Sequence, residues 1–532
     1  MKLTALDFDQ IPQLSSIDLA YQQQVAALQP FFEYSTQVEQ FEQVIATKQD
    51  FDPQKRAILV AALEQQYQSI ETSSATLDNI KRLQKTDTYT VTTAHQPNLF
   101  TGPLYSIYKI VSTINLAKKL KATYPTFDFV PIFWTGGEDH DFEEVNHFNL
   151  FGNKISWDEH QGGSVGAYQL QGFDQVLAQT KEILGNSPRA AKLSEKLTEI
   201  YTTSANYGEA HTQFVNWIFG KHGLVICNAQ AAVFKSQMKA IFKEELLHQP
   251  SKEILEKTAE QLTQAGFSNQ AYAREINLFY LTANKRSRIV QQGKQYQVLD
   301  TELVFSEEEI LQELDKNPQK FSPNVILRPL YQETILPNLA YIGGGGELAY
   351  WLERKTQFQH FGVPYPMLLR RCSVLWIDKG MTQKVAKAGL TIAQIFEDTD
   401  RLLKQYTLEN TEHELSLTTQ KEQLNRILED LLKHAIKIDP TLEKAVLGTQ
   451  AQIINSIDKI EKKLVRAEKN NHETALNAIK NIKEKLFPSN GLQERYDNFL
   501  AYYVRYGDDF VDSLIQHLDV LDKRFLILSE ES

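Results

Sequence analysis

The pattern of hydrophobic and polar residues between positions 88 and 147 predicts a strand, a helix and a second strand. Residues 88–94 (TYTVTTA) are rich in Val, Thr and Tyr, and residues 127–134 (FDFVPIFW) are almost wholly apolar. A run that is apolar on both faces is typical of a central strand in a parallel sheet. The residues between the two runs that recur at helical spacing are Leu104, Tyr108, Val111, Ile114 and Leu116. We therefore predict a βαβ unit, in which ligands bind beyond the carboxyl ends of the strands.

Further elements extend this unit along the chain. Residues 15–85 have apolar positions three and four apart, which predicts helices, and residues 174–221 predict two or three more. A strand at 223–229 (GLVICNA), followed by a helix near 230–248, adds a second βα step to the parallel sheet. Short β patterns separated by polar turns at 270–305 predict an inserted antiparallel hairpin or meander. An insert of this kind often carries part of a substrate pocket.

Two further stretches predict short strands. Residues 147–151 (HFNLF) predict one strand, and the glycine-rich residues after them read as a loop. Between 321 and 379, NVIL (324–327) looks like a strand, and LAYI (339–342) is a strand that runs into four glycines. Glu347 then opens a helix, and two apolar strands flank the Arg370-Arg371 pair.

From about residue 381 the pattern is helical. Apolar residues repeat at heptad spacing on both sides of Asp439-Pro440, which predicts an antiparallel helical hairpin. The residues that carry the repeat are Leu417, Leu424, Leu431, Ile438, Ile453, Ile457, Ile460 and Leu464. The second arm is too polar to bury more than one stripe, so we predict that the hairpin is a dimerisation arm. Pro488 and Gly491 break it, and residues 492–528 read as helices that return to the core.

The predicted protein is therefore of the α/β class, with an appended antiparallel helical coiled-coil domain. We predict a core at 1–380 that includes the N-terminal helices and inserted segments at about 150–222 and 265–320. The dimerising hairpin spans 381–490, and the C-terminal helices span 491–532.

Composition narrows the class of protein. A chain of 532 residues exceeds one ordinary core. Its net charge of -11 argues against a general nucleic-acid binder, which needs a cationic surface. Cys227 and Cys372 are isolated in apolar contexts, so we expect buried reduced thiols, not a disulfide or a CxxC site. No apolar run approaches the roughly 20 residues that span a bilayer, and the N-terminus lacks a signal-peptide core, so we expect a cytoplasmic protein without a membrane partner.

The first candidate for chemistry is the turn His95-Gln96-Pro97-Asn98, directly after the first strand. In a βαβ unit, His95 and Asn98 at this place would donate hydrogen bonds to a nucleotide phosphate or its leaving group. The alternative is an ordinary turn in which Asn98 caps the following helix. The sequence leaves both interpretations open.

The second candidate is EDHDFEEVNH, which begins with Glu138, Asp139, His140 and Asp141 after a Gly-Gly turn. These side chains suit acid/base chemistry or the binding of a substrate amine. They also suit a divalent metal, but the usual zinc spacings are absent, so Mg²⁺ carried in with nucleotide phosphates is favoured over a protein-only site. An acidic helix start, where carboxylates favour the helix dipole, is the structural alternative.

The third candidate is RPLYQE together with IGGGGE. Glycines between a strand and a helix let backbone N–H groups approach a ligand at a helix N-terminus, which favours anions. Arg328 is suited to bidentate binding of a carboxylate or phosphate. A flexible loop before a helix is the alternative. Arg370 and Arg371 are weaker candidates, because surface ion pairing explains them equally well.

These motifs together resemble a known family. HQPNLFTGPLYSIYKI, PIFWTGGEDHDFEEVNH, RPLYQETILPNLAYIGGGGELAYW and PYPMLLRRCSVLWID, followed by a heptad-bearing hairpin, resemble the bacillithiol biosynthesis cysteine-adding enzymes over essentially the whole chain. The resemblance implies a Rossmann-like core with inserted connecting segments and a coiled-coil domain that forms a homodimer. It also implies a cysteine ligase that joins the amine of glucosaminyl-malate to the carboxyl of cysteine, the last step towards this low-molecular-weight thiol.

The chemistry of such a ligase indicates its cofactors. An amide forms in water only from an activated carboxylate, either an adenylate or an acyl phosphate, so ATP and Mg²⁺ are implied. The family core is similar to class I aminoacyl-tRNA synthetases, and His95 to Asn98 match the place of their HIGH turn. The turn lacks the Gly-His pair and no KMSKS-like loop is present, so AMP and ADP both remain possible products.

The resemblance and the motifs give one set of candidate site residues. The predicted catalytic residues are His95, Asn98, Glu138, Asp139 and Asp141. The predicted substrate- or nucleotide-binding residues are Gln96, Thr101, Gly102, Tyr105, Trp134, His140, Arg328, Gln332, Glu333, Gly343, Gly344, Gly345, Gly346, Glu347 and Arg370. No residue is predicted to hold a metal on its own.

Two other classes of function stay open at this stage. One is a dimeric scaffold that binds a nucleotide or small anion without turnover, which the heptad hairpin supports. The other is a metal-dependent hydrolase built on EDHDFEEVNH. The sequence also leaves open which residue is the general base, whether another protein delivers activated cysteine, and where a second nucleotide pocket would lie.

Overall fold

The computed structural model describes residues 1–411 and 415–531. It divides into two compact units. The sheet unit consists mainly of Leu3–Leu375 and Gln493–Ile527, and the hairpin unit consists mainly of Trp376–Leu492. The predicted domain boundaries near 380 and 490 stay predictions.

The strands, numbered along the chain, are β1 Lys2–Asp7, β2 Thr88–His95, β3 Asp128–Thr135, β4 His147–Leu150, β5 Asn153–Ser156, β6 Val225–Asn228, β7 Leu278–Leu281, β8 Arg286–Gln292, β9 Gln295–Val298, β10 Val304–Ser306, β11 Phe321–Pro323, β12 Asn338–Gly343, β13 Met367–Arg370, β14 Val374–Ile377 and β15 Arg524–Ser529.

The helices of the sheet unit are α1 Ser16–Gln22, α2 Phe41–Lys48, α3 Pro53–Tyr67, α4 Ser74–Arg82, α5 Tyr105–Thr123, α6 Phe142–Val145, α7 Phe173–Leu184, α8 Pro188–Thr203, α9 Tyr207–Phe219, α10 Ala232–Ser236, α11 Lys239–His248, α12 Pro250–Gln264, α13 Glu307–Lys316, α14 Arg328–Ile335, α15 Gly345–Leu352 and α16 Lys355–His360. The helices of the hairpin unit are α17 Lys379–Lys387, α18 Thr399–Glu409, α19 Thr418–Ile438, α20 Glu443–Asn471 and α21 Glu473–Leu486. The sheet unit ends with α22 Phe499–Tyr506 and α23 Asp509–His517.

The core of the sheet unit is a parallel sheet in the order β13-β12-β2-β3-β6. Strands β2 and β3 pair in parallel without a register shift, so His95 and Thr135 end side by side. Threonines of β2 are buried because their hydroxyls have partners: Thr92 donates to Asn338 Oδ1 at 2.8 Å and Thr93 donates to the Ile342 carbonyl at 2.7 Å. The predicted α/β fold with a parallel-sheet core is confirmed. The carboxyl ends of its strands form one edge.

The inserted segment forms an antiparallel sheet in the order β10-β9-β8-β7-β11, called the meander below. This confirms the predicted meander, but the NVIL strand at 324–327 is wrong. The strand lies just before it, at β11, and residues 325–327 are a turn. The Asn324 side chain accepts a hydrogen bond from the Ile326 N–H at 2.9 Å, which closes the turn that leads into α14.

Three other segments differ from the predictions. The loop predicted after residue 151 contains β5, because Phe151 and Gly152 both have positive φ (50° and 86°) and form a tight hairpin turn between β4 and β5. The helix predicted near 230–248 is broken into α10 and α11. The C-terminal segment was predicted to be helical, but it ends in a strand, β15. The prediction failed there because a short apolar run fits either element.

The hairpin unit contains the predicted antiparallel pair, α19 and α20, joined at a short turn that begins at Pro440. The second arm is interrupted at His472, where α21 begins. Two residues of the predicted heptad, Leu431 and Ile438, are 53% and 78% exposed, whereas Leu428, which the predicted heptad did not include, is buried. An apolar stripe therefore remains uncovered on the hairpin.

Two expectations from composition can be compared with the structure. Cys227 and Cys372 are free and buried, as predicted. Among the described residues, no helix is both long and apolar enough to cross a membrane. The cytoplasmic location stays a prediction.

Candidate active site

A cleft of about 770 Å³ opens between the carboxyl edge of the parallel sheet and the meander. Because parallel strands end at one edge, the polar residues that follow β2, β3 and β12 meet there. The side chains and backbone that line the cleft include His95, Gln96, Tyr105, Trp134, Glu138, Asp139, Gln230, Tyr272, Arg274, Phe279, Arg286, Arg288, Asn324, Arg328, Tyr331, Tyr341, Gly344, Gly345, Gly346, Glu347, Tyr350, Arg371 and Arg495.

An ion pair connects Glu347, which lines the cleft, to a buried lysine. Lys109, from the first turns of α5, is 1% exposed and its Nζ lies 2.7 Å from Glu347 Oε2. Lys109 also donates to the Ala94 carbonyl at the end of β2. Glu347 accepts further hydrogen bonds from the Tyr341 hydroxyl at 2.6 Å and the Gly344 N–H at 2.9 Å. The pair thus joins the end of β2 to the glycine turn after β12.

These contacts set the charge of Glu347. Burial alone would raise its pKa, but Lys109, His95 and the Gly344 N–H outweigh burial and lower the pKa to about 2. Burial lowers the pKa of Lys109, and Glu347 opposes this shift. The carboxylate therefore stays ionised at neutral pH and is occupied by structural partners. Glu347 was predicted to bind a ligand, and in the structure its contacts hold Lys109 and the glycine turn in position.

The pH dependence of stability follows from this shift. The pKa of Glu347 lies below its ordinary value of 4.5, so its contribution is complete above pH 4.5 and is lost as the pH falls toward 2. Between pH 5 and pH 3 the wild type is expected to lose about 2 kcal/mol more unfolding free energy than Glu347→Gln. Urea unfolding across this range measures the difference. Glu302→Gln, at an exposed position, is the control and is expected to follow the wild type; identical slopes for all three proteins would contradict the account.

His95 lies at the end of β2 and lines the cleft. Its ring stacks on Tyr105, with 5.4 Å between ring centroids, and its Nε2 is 3.2 Å from the Tyr105 hydroxyl. Burial and the neighbouring Lys109 cation lower its pKa to about 4. His95 is therefore neutral at neutral pH, so it can act on a ligand by hydrogen bonding but not by a positive charge.

Glu138 is the carboxylate of the second polar cluster with spare hydrogen-bonding capacity. Its Oε2 lies 2.7 Å from Nζ of Lys235, a fully buried lysine, and accepts from the Ser322 hydroxyl at 2.7 Å. Its Oε1 is buried and has no hydrogen-bond partner among the described residues. A buried carboxylate oxygen without a donor is costly, so a ligand N–H at this place would be favoured.

Asp139, next to it, is already paired. Gln96 donates to its Oδ2 at 2.7 Å, and Arg286 Nη1 lies 3.6 Å from its Oδ1. Burial would raise the pKa of Asp139, but hydrogen bonds from His140 and Gln96 and the charge of Arg286 hold it well below the ordinary range. Asp139 is a poor base because its pKa is so low, and its contact with Arg286 holds that guanidinium in position.

Arg328 lines the cleft, as predicted, whereas Gln332 and Glu333, the other predicted residues of α14, do not. Its guanidinium donates to Gln332 Oε1 and to the Tyr350 hydroxyl, each at 3.1 Å. Gln332 in turn donates to Glu333, whose carboxylate is buried against Lys48 at 3.3 Å. Gln332 and Glu333 therefore lie behind the cleft and orient Arg328, because they occupy the inner face of the helix.

Arg370 and Arg371 have opposite placements. Arg370 is buried and binds Asp18 through its Nε at 2.8 and 3.0 Å, away from the cleft. Arg371 lines the cleft and forms a bidentate pair with Glu494, at 3.0 and 2.8 Å. Successive residues of an extended chain face opposite sides, so only one of the two can reach the site. The structure thus gives the predicted binding residue Arg370 a place outside the cleft, and Arg371 takes the place within it.

The glycines that follow β12 differ in how much space surrounds them. A side chain on Gly345 would collide with Asp18, 2.2 Å away, and one on Gly343 would crowd Tyr341 at 3.0 Å. A side chain on Gly346 would meet nothing within 4 Å. Gly344 to Gly346 line the cleft, as predicted, but Gly343 does not. The buried Nε of Arg371 has no hydrogen-bond partner among the described residues and lies 3.6 Å from the Cβ position of Gly344.

Several other predicted residues lie outside the cleft. Asn98 is buried, its side chain does not cap the following turn, and its Oδ1 lacks a partner in the described part of the chain. Thr101 and Gly102 belong to the same buried turn. His140 and Asp141 are exposed, with His140 against Arg286. The predicted residues that the cleft brings together are His95, Gln96, Tyr105, Trp134, Glu138, Asp139, Arg328, Gly344, Gly345, Gly346 and Glu347.

The arginines of the meander and of the C-terminal segment were missed. Arg274, Arg286, Arg288 and Arg495 line the cleft together with Arg328 and Arg371. Among the described lining residues, these six guanidinium groups face three carboxylates, whereas the whole chain carries a net charge of -11. The alternation in RSR at 286–288 was the available signal. The cleft is therefore a local cationic site in an acidic protein.

The side chains of the described residues do not form a metal site by themselves. Within residues 1–411 and 415–531, no group of three or more His, Cys, Asp or Glu side chains is placed to hold a metal ion. The predicted cluster at 138–141 does not converge, because Glu138 binds Lys235 and Asp139 binds Gln96. A divalent cation here would need ligands from a bound phosphate.

Comparison with known proteins finds similar proteins along nearly the whole chain. The family model "Bacillithiol biosynthesis BshC, N-terminal Rossmann-like domain" matches residues 1–372, and "Bacillithiol biosynthesis BshC, C-terminal coiled-coil domain" matches residues 374–530. Relatives named "Putative cysteine ligase BshC" include those of Flavobacterium psychrophilum (40% identical, 99% of both chains), Flavobacterium johnsoniae (40%, 96% of both) and Christiangramia forsetii (37%, 99% of both).

A solved structure also aligns with the chain. It is a crystal structure from Campylobacter jejuni titled as a putative arginyl-tRNA synthetase, which covers 84% of this chain and 99% of its own. The identity is 12% and the TM-score 0.22, values too low to establish a shared fold.

Proposed function

The chain belongs to the bacillithiol biosynthesis BshC family, and we propose that its cleft is the active site of a cysteine ligase that joins the carboxyl of cysteine to the amine of glucosaminyl-malate. The observation that carries this proposal is the combination of six arginines with one buried, unpartnered carboxylate oxygen in a single cleft. Such a cleft suits an anionic acyl donor and an amine acceptor at the same time.

The amine acceptor is assigned to Glu138. Its free Oε1 accepts an N–H of the substrate amine, while Lys235 and Ser322 hold its Oε2. As the amine attacks, it must lose a proton, and a carboxylate within hydrogen-bond reach can take it. The neighbouring Asp139 is already paired, so we assign the role of base to Glu138 alone.

The acyl donor is assigned to the glycine turn. A side chain on Gly346 would meet nothing within 4 Å, and the unpartnered Nε of Arg371 lies near Gly344 in the same turn. Backbone N–H groups at a helix N-terminus and a guanidinium both favour negative charge. A carboxylate or phosphate at this place would also reach neutral His95, which contributes a hydrogen bond as charge develops.

ATP and Mg²⁺ complete the proposal. Amide formation in water requires an activated carboxylate, and ATP supplies this activation as a second substrate. Arg328 and Arg371, beside the glycine turn, fit its phosphates, and Mg²⁺ would be held mainly by those phosphates.

We further propose that the chain is a homodimer through the hairpin unit. On α19, Ile427, Leu431 and Ile438 are 64%, 53% and 78% exposed and fall within about 40° of one another around the helix. An apolar stripe of this kind on a helix is typical of a partner surface.

The dimer makes a testable prediction. Leu431→Glu combined with Ile438→Glu is expected to convert a dimer of the 61.0 kDa chain into a monomer, because the charges would be buried at the interface. Light scattering after size exclusion measures the mass. Lys433→Glu, at an exposed position of the same helix, is the control and is expected to remain dimeric. A wild-type monomer, or a double variant that stays dimeric, would contradict the proposal.

Product formation tests the ligase itself. The purified chain is incubated with glucosaminyl-malate, cysteine and Mg-ATP, and the cysteinyl product is followed by mass spectrometry together with AMP and ADP. The proposal expects an ATP-dependent product. Reactions without ATP, without cysteine, or with methyl glucosaminide in place of glucosaminyl-malate serve as controls. Nucleotide binding without any product would instead support the scaffold.

A further inference from the structure

Three guanidinium groups in the cleft lack a counter-charge among the described residues: one on β8, one on the loop before β7 and one in the C-terminal segment. Arg274, Arg288 and Arg495 line the cleft, and among the described residues they have no ion pair or side-chain hydrogen bond. Arg288 is half-buried. A guanidinium that is partly removed from water without a counter-charge is costly, so an anionic group is expected to bind beside it.

The strand register orders the side chains of this face. In the meander, Ser322 on β11 is opposite Phe279 on β7, and Phe279 is opposite Arg288 on β8. Opposed residues share one face of a sheet, so the three side chains form a row. Ser322 stands at one end of the row and donates to Glu138 at 2.7 Å. With strands about 4.8 Å apart, Arg288 lies about 10 Å from Ser322 across the sheet.

The middle of the row is aromatic. Phe279 lines the cleft and supports the Arg286 guanidinium, 4.1 Å from its ring centroid. Tyr272, on the loop before β7, also lines the cleft and is 74% exposed. The loop is fixed nearby, because Asn277 is buried, its Oδ1 accepts from the Arg274 N–H at 3.0 Å and its Nδ2 donates to Glu245 at 2.6 Å. Tyr272 is therefore an exposed aromatic ring held at the rim of the cleft.

We propose that this row is a subsite that binds an amino sugar linked to a dicarboxylate, with the amine at Glu138, the sugar ring over Phe279 and Tyr272, and the carboxylates on Arg288 and Arg274. The inference rests on the proposed function and adds the direction in which the acceptor substrate lies. The apolar face of a pyranose packs on an aromatic ring, and carboxylates pair with guanidinium groups in bidentate fashion. The glycine turn, at the other side of the cleft, is left for the acyl donor.

Binding by the full chain, measured by calorimetry, tests the subsite without requiring turnover. The probes are glucosaminyl-malate and methyl glucosaminide, which has the same sugar and amine but no carboxylate. Arg288→Gln is expected to weaken glucosaminyl-malate binding by about 10- to 100-fold, the usual cost of a charge-assisted hydrogen bond, and to leave methyl glucosaminide binding unchanged. Arg274→Gln is expected to have a smaller effect of the same kind, because Arg274 is exposed.

A matched control lies in the same sheet. Lys294→Gln removes a positive charge from the exposed turn between β8 and β9, away from the cleft lining, and is expected to bind both probes like the wild type. The proposal would be overturned if Arg288→Gln and Arg274→Gln both bound glucosaminyl-malate as the wild type does. Equal wild-type affinity for the two probes, or no binding of glucosaminyl-malate, would overturn it as well.

Tyr272 provides a separate test of the sugar platform. Tyr272→Ala is expected to weaken both sugar probes by a similar factor, and Tyr272→Phe, which keeps the ring, is expected to bind them like the wild type. If Tyr272→Ala weakened ATP binding and left both sugars unchanged, the ring would serve a nucleobase and the platform would be wrong.

The outcomes separate this inference from the ligase proposal. Binding as expected without any cysteinyl product would remove the ligase and keep the subsite. Product formation by an Arg288→Gln enzyme with a wild-type KM for glucosaminyl-malate would keep the ligase and remove the subsite.

Discussion

Glu138→Gln is expected to lower the rate of cysteinyl product formation by about 10²- to 10⁴-fold, the usual contribution of a positioned general base. The reason is that Oε1 of Glu138 is a buried acceptor without a partner in the described chain, and an amide at this position cannot take a proton. The cysteine-dependent consumption of ATP is expected to be reduced much less, because the acyl donor is bound on the other side of the cleft. Single-turnover assays of the two steps measure this difference.

Folding must be monitored in the same experiment, because Glu138→Gln also removes the charge that neutralises buried Lys235. The melting temperature of the variant reports any loss of stability. Glu143→Gln, an exposed carboxylate on α6 outside the cleft lining, is the matched control and is expected to retain wild-type rates. A Glu138→Gln enzyme within threefold of the wild type would exclude Glu138 as the base.

Glu494→Gln is expected to lower the free energy of unfolding of the sheet unit by about 3–5 kcal/mol. Glu494 is 1% exposed and accepts two hydrogen bonds from Arg371, together with those of the Ser373 hydroxyl and the Val374 N–H at 3.1 and 3.0 Å. Burial would raise the pKa of Glu494, but Arg371 holds it below its ordinary value, so the pair is ionised. Replacing the carboxylate by an amide leaves the Arg371 charge buried and uncompensated.

Urea unfolding, monitored by tryptophan fluorescence, measures this loss. Glu302→Gln serves again as the exposed control and is expected to unfold like the wild type. Since Arg371 lines the cleft, Glu494→Gln is also expected to weaken anion binding at the glycine turn. A Glu494→Gln protein with wild-type stability would show that Arg371 needs no partner.

The central part of the fold could be predicted because its signals are local. The β2, α5 and β3 pattern combines two-sided apolar runs with a helical period, and the Pro440 turn separates two amphipathic helices. The signal failed where a short run fits two elements. NVIL is apolar like a strand, but the Asn324 side chain closes a turn there, and the apolar run at β15 could have extended the preceding helices.

The candidate site was predictable up to the residues that follow the sheet strands. His95 and Glu138 lie at the strand ends that the βαβ pattern indicated, and Glu347 follows the strand and glycines that were singled out separately. Which of two neighbouring arginines faces the cleft could not be predicted, because it depends on how β13 pairs with β12, a long-range contact. The same holds for Arg288, which reaches the cleft only through the pairing of β11, β7 and β8.

The most direct measurement of the central claim follows the oxygen atoms of the cysteine carboxylate. The purified chain is supplied with cysteine labelled with ¹⁸O in its carboxylate, together with glucosaminyl-malate and Mg-ATP, and the products are weighed by mass spectrometry. We expect the amide to keep one labelled oxygen and the other to appear in AMP or in inorganic phosphate, since the carboxylate must attack a phosphorus atom of ATP to become activated. If the amide formed while neither AMP nor inorganic phosphate carried the label, or if no amide formed, the account would be contradicted.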